Sequence, residues 1–223
     1  MAEYFFPSCK VVGDFKNESD RLAKYMKKRF GLDPIGCCRP NYSKLEENDK
    51  AYVLCNNCAA ILEESSKSGN INYVWELIDN DPDFEFPNYR GEAMVVQDCW
   101  IAVERRNVQE TVRSLMKKMN IDIVELEENF GKTTFCGPNL LSKCNPSNAK
   151  LAPKRYENGN SSMFRPMEDA QKKEFFMKYA AKIKTDKAVC YCKYCRDGIN
   201  MGEKQGLHII QLLFPEKEVN SVG

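Results

Sequence analysis

The chain has 223 residues, of which 43% are hydrophobic, and its 33 Lys and Arg against 32 Asp and Glu leave a formal charge of +1. This composition is that of a folded globular protein, and the length fits one large domain or two small ones. Charge this balanced supplies no long-range attraction for a polyanion, so no nucleic-acid partner is expected. Apolar runs such as Ala93 to Val96 and Ile209 to Phe214 are far shorter than the roughly 20 residues that span a bilayer. With no signal-like apolar segment at the N-terminus either, the expectation is a cytoplasmic protein without an integral membrane segment.

Eleven cysteines beside a single histidine are the outlying figure. They are Cys9, Cys37, Cys38, Cys55, Cys58, Cys99, Cys136, Cys144, Cys190, Cys192 and Cys195. An odd number, in a chain too large to need staples, argues against a disulfide framework and for metal ligation or thiol redox chemistry. His208 alone cannot build a histidine-rich site, so any centre here is thiolate-rich and suits zinc or iron.

In chain order, a strand over Tyr4 to Phe6 leads into Cys9, and a helix over about Glu18 to Phe30 carries Leu22, Tyr25, Met26 and Phe30 on one face and stops at Gly31. A strand over Leu32 to Ile35 delivers Gly36-Cys37-Cys38 at a tight turn, and a strand over Ala51 to Leu54 delivers Cys55 and Cys58. A helix begins near Ala59, and Tyr73 to Ile78 is a further apolar helix or strand. The second half repeats this order. Met94 to Val96 leads into Cys99, a long helix runs over Ile101 to Met119, a strand follows at Asn120 to Val124, and the chain then reaches Cys136-Gly137. Lys187 to Cys195 parallels Lys50 to Cys58, and Leu207 to Phe214 parallels Ile71 to Ile78. The expected fold is therefore α/β, two pseudo-repeated Rossmann-like three-layer units, residues 1–92 and 93–223, with cysteines at the C-terminal ends of strands. A Pro-, Asn-, Ser- and Gly-rich stretch at about 143–170 is read as an insertion, either a lid or a plain surface loop.

A parallel sheet would place Cys9, Cys37, Cys38, Cys55 and Cys58 on one edge. Five thiols exceed the four that a tetrahedral zinc takes, and an extended iron cluster can use the fifth. The second half offers Cys99, Cys136, Cys192 and Cys195, with Cys190 open between ligand, reactive thiol and packing, and Cys144 in reserve. Each C-x-x-C pair alone also suits a dithiol redox motif.

The order Cys9, Cys37-Cys38, Cys55-Asn56-Asn57-Cys58, repeated as Cys99, Cys136-Gly137, Cys192-Lys193-Tyr194-Cys195, resembles the duplicated cysteine-rich CCG domain of the heterodisulfide reductase family over nearly the whole chain. The resemblance implies a noncubane [4Fe-4S] cluster on Cys9, Cys37, Cys38, Cys55 and Cys58, and a second [4Fe-4S] cluster or a simpler one on Cys99, Cys136, Cys192 and Cys195. It implies an oxidoreductase, or a subunit of one, acting on a small disulfide or thiol with electrons from an iron-sulfur or flavoprotein partner. Cys37 and Cys38 would then be catalytic together with Arg39, which stands where the motif often has glycine. Arg39, Lys193 and Arg196 are the cations placed to attract an anionic substrate or a partner carboxylate. The rival readings are an electron-transfer or scaffold subunit without its own substrate, and a zinc-binding module.

Overall fold

The computed structural model describes residues 1–216. Contacts divide the chain into two units, Met1–Leu77 with Cys144–Ser161, and Ile78–Lys143 with Ser162–Gly223. The final stretch of the 93–223 span read from the sequence, residues 217–223, lies outside the described residues. The elements in chain order are β1 (Glu3–Phe6), α1 (Cys9–Asp14), α2 (Lys16–Phe30), α3 (Cys38–Asn41), β2 (Lys50–Val53), α4 (Asn56–Ser65), β3 (Asn70–Tyr73) and α5 (Val74–Asn80). They continue with β4 (Glu92–Gln97), α6 (Arg106–Lys118), β5 (Ile121–Glu125), α7 (Pro146–Leu151), α8 (Asp169–Ala180), β6 (Lys187–Cys190), α9 (Lys193–Met201), β7 (Gln205–His208) and α10 (Ile209–Leu213). The fold is thus mixed α/β with two sheets.

In the first unit the sheet order is β1-β2-β3, all parallel, with Phe6 opposite Val53 and Val53 opposite Tyr73. Phe5, Phe6, Val53 and Leu54 are fully buried, and α2 sets Leu22 and Met26, one turn apart, into the same core. Helix α2 ends where the sequence says it should, at Gly31, whose φ of 70° is the left-handed cap that glycine adopts at little cost. The strand expected over Leu32 to Ile35 is reduced to one bridge, Phe5 with Pro34, beside an Ile35 N–H donated to the Phe5 carbonyl at 3.0 Å. Proline has no N–H to give a ladder, and Gly36 turns the chain at once with a φ of 93°.

The second unit has the order β5-β4-β6-β7, again all parallel. Met94, Val95, Val96 and Gln97 of β4 are all buried, the continuous burial of a parallel strand covered on both faces. Ile121–Glu125 contains no proline and pairs with β4 along its length. The helix expected over Ile101 to Met119 is divided. A 3-10 turn covers Trp100–Ala102, Arg105 is non-helical at φ −98° and ψ 73°, and α6 then buries Val108, Val112, Leu115 and Met116 as a single stripe.

The 143–170 stretch is not a featureless insertion. Asn145 caps α7 by accepting the Ser147 N–H at 3.0 Å, with Pro146 at the first helical position, so the polar composition there encodes a helix start. Within the first unit, Glu64 accepts the backbone N–H groups of Lys154 and Arg155 at 2.6 and 2.8 Å and ties this segment to α4.

A buried ionic network stands behind β4. Arg113 of α6 donates to both oxygens of fully buried Asp98, at 3.1 and 2.9 Å, and to Glu125 at 2.6 and 2.8 Å, with its guanidinium 3.8 Å from the Phe130 ring centroid. Removing one member strands a buried charge. Arg113→Ala is therefore expected to cost about 3–5 kcal/mol of stability, read as a lower urea midpoint, and an unchanged midpoint would show that the network carries no stability.

Candidate metal centre

Parallel strands all end at the same edge of a sheet, and residues that follow them are brought together there. In the second unit β4 ends two residues before Cys99, and β6 ends two residues before Cys192. Among the described residues, Cys99, Cys136, Cys192 and Cys195 form the one group of three or more candidate ligands whose donor atoms all lie within 4.8 Å of one another. All four are buried, at 0, 1, 5 and 0% exposure, and the Cys99 and Cys136 sulfurs are 3.5 Å apart.

Each ligand is held by local structure. The Trp100 N–H donates to the Phe135 carbonyl at 2.8 Å, which joins the residue after Cys99 to the residue before Cys136. Cys192 is the N-cap of α9 and Cys195 lies in its first turn, so both sulfurs sit at the helix start, where exposed N–H groups and the helix dipole favour thiolate. Gly137 brings the Cys136 turn onto that start. Its φ is 54°, and a Cβ there would lie 1.7 Å from the Tyr194 carbonyl oxygen. Gly198, one turn further along α9, is also constrained, though less tightly, since its Cβ would come 2.8 Å from the Gly137 Cα.

Behind the sulfurs, the Tyr191 hydroxyl donates to Asp98 at 3.0 Å and accepts the Cys99 N–H at 3.3 Å. The Arg113 network therefore extends to the backbone of a candidate ligand. On the other side the Asn139 amide donates to the Cys136 sulfur at 3.7 Å. A cavity of about 420 Å³ reaches Cys136 and Gly137 between apolar walls that include Phe135, Leu140 and Tyr179. Neither the network nor the cavity was legible in the sequence, because both depend on which side chains the sheet and α8 bring together.

The electrostatics of the group keep its thiols protonated unless a cation is bound. Hydrogen bonding with Cys192, together with Cys99 and burial, pushes the Cys136 thiol well above the ordinary range. Burial, then Cys136, Cys192 and Cys99, does the same to Cys195. Four thiolates cannot share this volume by themselves, whereas a bound cation reverses every one of these shifts.

In the first unit the five thiols also meet, in a different pattern. Cys37 feels Cys9 and Cys38 electrostatically, Cys38 feels Cys58, Cys55 and Cys37, and Cys58 feels Cys38 and Cys55, so the five thiols are neighbours in the order Cys9, Cys37, Cys38, Cys58, Cys55. Cys9 opens α1 after Ser8, whose φ is 62°, Cys37 and Cys38 open α3, Cys55 caps α4 and Cys58 lies in its first turn. The bond from Cys58 holds the Cys38 thiol below its usual range and raises Cys58, while burial raises Cys37. Arg39 on α3 donates to Asn148 of α7 at 2.7 Å. Cys144 lies outside this string and directs its thiol to the Asn145 carbonyl at 3.7 Å. Cys190, fully buried at the end of β6, is outside the four-thiol group, and its thiol is raised first by burial and then by Cys192 and Cys99. His208 caps α10 through its Nδ1, which accepts the Ile210 N–H at 3.3 Å. Lys193 and Arg196 both pair with Asp197, at 2.6 and 3.3 Å, so this one carboxylate offsets one of their two positive charges.

No protein-family model matches the chain, and no curated protein or solved structure is significantly similar to it.

Two outcomes follow for the four-thiol group. Gly137→Ala is expected to weaken metal binding by about 10–100-fold, the usual range for a change beside the ligands, measured by competition with a chromophoric chelator; equal affinity would show that Gly137 does not shape the site. Because thiols held protonated must lose protons to bind a metal, apparent affinity should fall by more than about tenfold for each pH unit below 8. A flat profile in the same competition assay between pH 8 and 6 would contradict that sign.

Proposed function

We propose that the chain is an iron-sulfur oxidoreductase subunit of the heterodisulfide reductase kind, cytoplasmic, and built as two duplicated α/β units over about 1–92 and 93–223. The observation that carries this reading is the unbroken string of five thiols from Cys9 to Cys55. A single tetrahedral ion has no use for a fifth neighbouring thiol, whereas an extended iron-sulfur centre can take more than four. In this reading Cys9, Cys37, Cys38, Cys55 and Cys58 hold a noncubane [4Fe-4S] cluster.

Such a centre, when bound, supplies single electrons, so that a disulfide taking up two electrons and two protons is cleaved to two thiols. The chain's own residues supply the setting. Cys37 and Cys38 stand at the start of α3 as neighbours, and both would hold the centre. Arg39, its guanidinium steadied by Asn148, keeps a positive charge beside the thiolates and beside an anionic disulfide or thiol substrate. Electrons come from an iron-sulfur or flavoprotein partner, for the chain has no dinucleotide fingerprint.

Anaerobic purification with iron and acid-labile sulfide counts tests the reading. A brown protein with about four iron and four sulfide in the first unit, both lost in the Cys37→Ser/Cys38→Ser variant, is the expected result. A colourless protein carrying zinc and no sulfide would overturn it.

A further inference from the structure

The resemblance that suggests a cluster for the first unit suggests a second one for Cys99, Cys136, Cys192 and Cys195, and the geometry disagrees. In a [4Fe-4S] cubane each thiolate binds a different iron at one corner, pointing outward, so elementary geometry separates ligand sulfurs by on the order of 6 Å. Four thiolates around one tetrahedral ion at a metal-sulfur distance of about 2.3 Å are separated by about 3.8 Å, the edge of that tetrahedron. The four sulfurs of the second unit all lie within 4.8 Å of one another, with Cys99 and Cys136 at 3.5 Å. They surround a volume suited to one ion.

We infer that the second unit holds a single tetrahedral ion on Cys99, Cys136, Cys192 and Cys195, zinc or a mononuclear iron, and no sulfide-bridged cluster. Four protein ligands complete a tetrahedron and leave no open position, which is the pattern of a structural centre. The surroundings agree. Opening the group to cubane dimensions would move the Cys136 turn away from α9, yet Gly137 is in backbone contact with Tyr194 and Gly198 is in contact with Gly137, Phe135 and Phe176. On the far side Cys99 is fixed through the Tyr191 hydroxyl and the Trp100 to Phe135 hydrogen bond. The two thiol groups therefore differ in kind, a closed ion site in the second unit and a strung-out array in the first.

Metal, iron and sulfide counts on the whole chain separate this inference from the function proposed above. The Cys99→Ser/Cys192→Ser variant is expected to lose about one zinc, or one iron with no sulfide, while the Cys37→Ser/Cys38→Ser variant keeps that ion. Cobalt reconstitution of the unmutated chain guards against misfolding of the variants. It should give an intense tetrahedral thiolate-cobalt spectrum at about one cobalt per chain, which persists in Cys37→Ser/Cys38→Ser. Loss of several iron and sulfide together from Cys99→Ser/Cys192→Ser, or no tetrahedral cobalt spectrum in the unmutated chain, would overturn the inference. A protein with one zinc and no iron anywhere would uphold it and defeat the cluster reading of the first unit.

Discussion

Buried thiols gathered within 4.8 Å of one another are the constraint on which the second unit turns. As neutral groups they are tolerated, but as thiolates they repel in a medium that screens weakly, and only a cation makes the ionised set favourable. Cys136 and Cys195 carry the conflict, Cys136 raised well above the ordinary thiol range first by its bond with Cys192, and Cys195 first by burial and then by its neighbours. The sheet supplies the convergence. β4 and β6 run in parallel and end together, which delivers Cys99 and Cys192 to one edge.

Close backbone approach then fixes the dimensions of the group. Gly137 can lie on the Tyr194 carbonyl because it has no Cβ, and through it the Cys136 turn is seated on the start of α9. In the first unit Arg39 follows the cysteine pair inside a helical turn, and no such glycine contact draws Cys37 and Cys38 inward. Both units thus place thiols after strand ends, yet they produce different sulfur arrays, one gathered about a point and one extended. This difference in spacing favours different occupants more strongly than any difference in ligand chemistry, since every donor in both groups is a cysteine.

Much of this was legible in the residues. The strand before Cys99, the C-x-x-C pairs at strand-to-helix turns, the cap at Gly31 and the convergence of Cys99, Cys136, Cys192 and Cys195 all follow from local pattern and from the habit of parallel sheets. What escaped reading depends on tertiary context. Leu32 to Ile35 has strand character, but Pro34 cannot join a ladder on both sides. Asn145-Pro146-Ser147 looks like loop composition, yet the same residues are a helix start once α7 has α4 to pack beside. The Asp98, Arg113, Glu125 and Tyr191 network had no signal at all, because four polar residues from separate segments become a unit only when β4, β5, β6 and α6 are brought together. Nor does local pattern encode a sulfur-to-sulfur distance, and it is that distance which separates one ion from a cluster in the second unit.

X-ray absorption on the anaerobically purified chain tests the contrast between the two thiol arrays most directly. The expected spectrum contains an ion with four sulfur neighbours at about 2.3 Å and no metal neighbour, retained in Cys37→Ser/Cys38→Ser, together with iron-iron scattering that this variant abolishes. Iron-iron scattering that instead survives in Cys37→Ser/Cys38→Ser and disappears in Cys99→Ser/Cys192→Ser would contradict it.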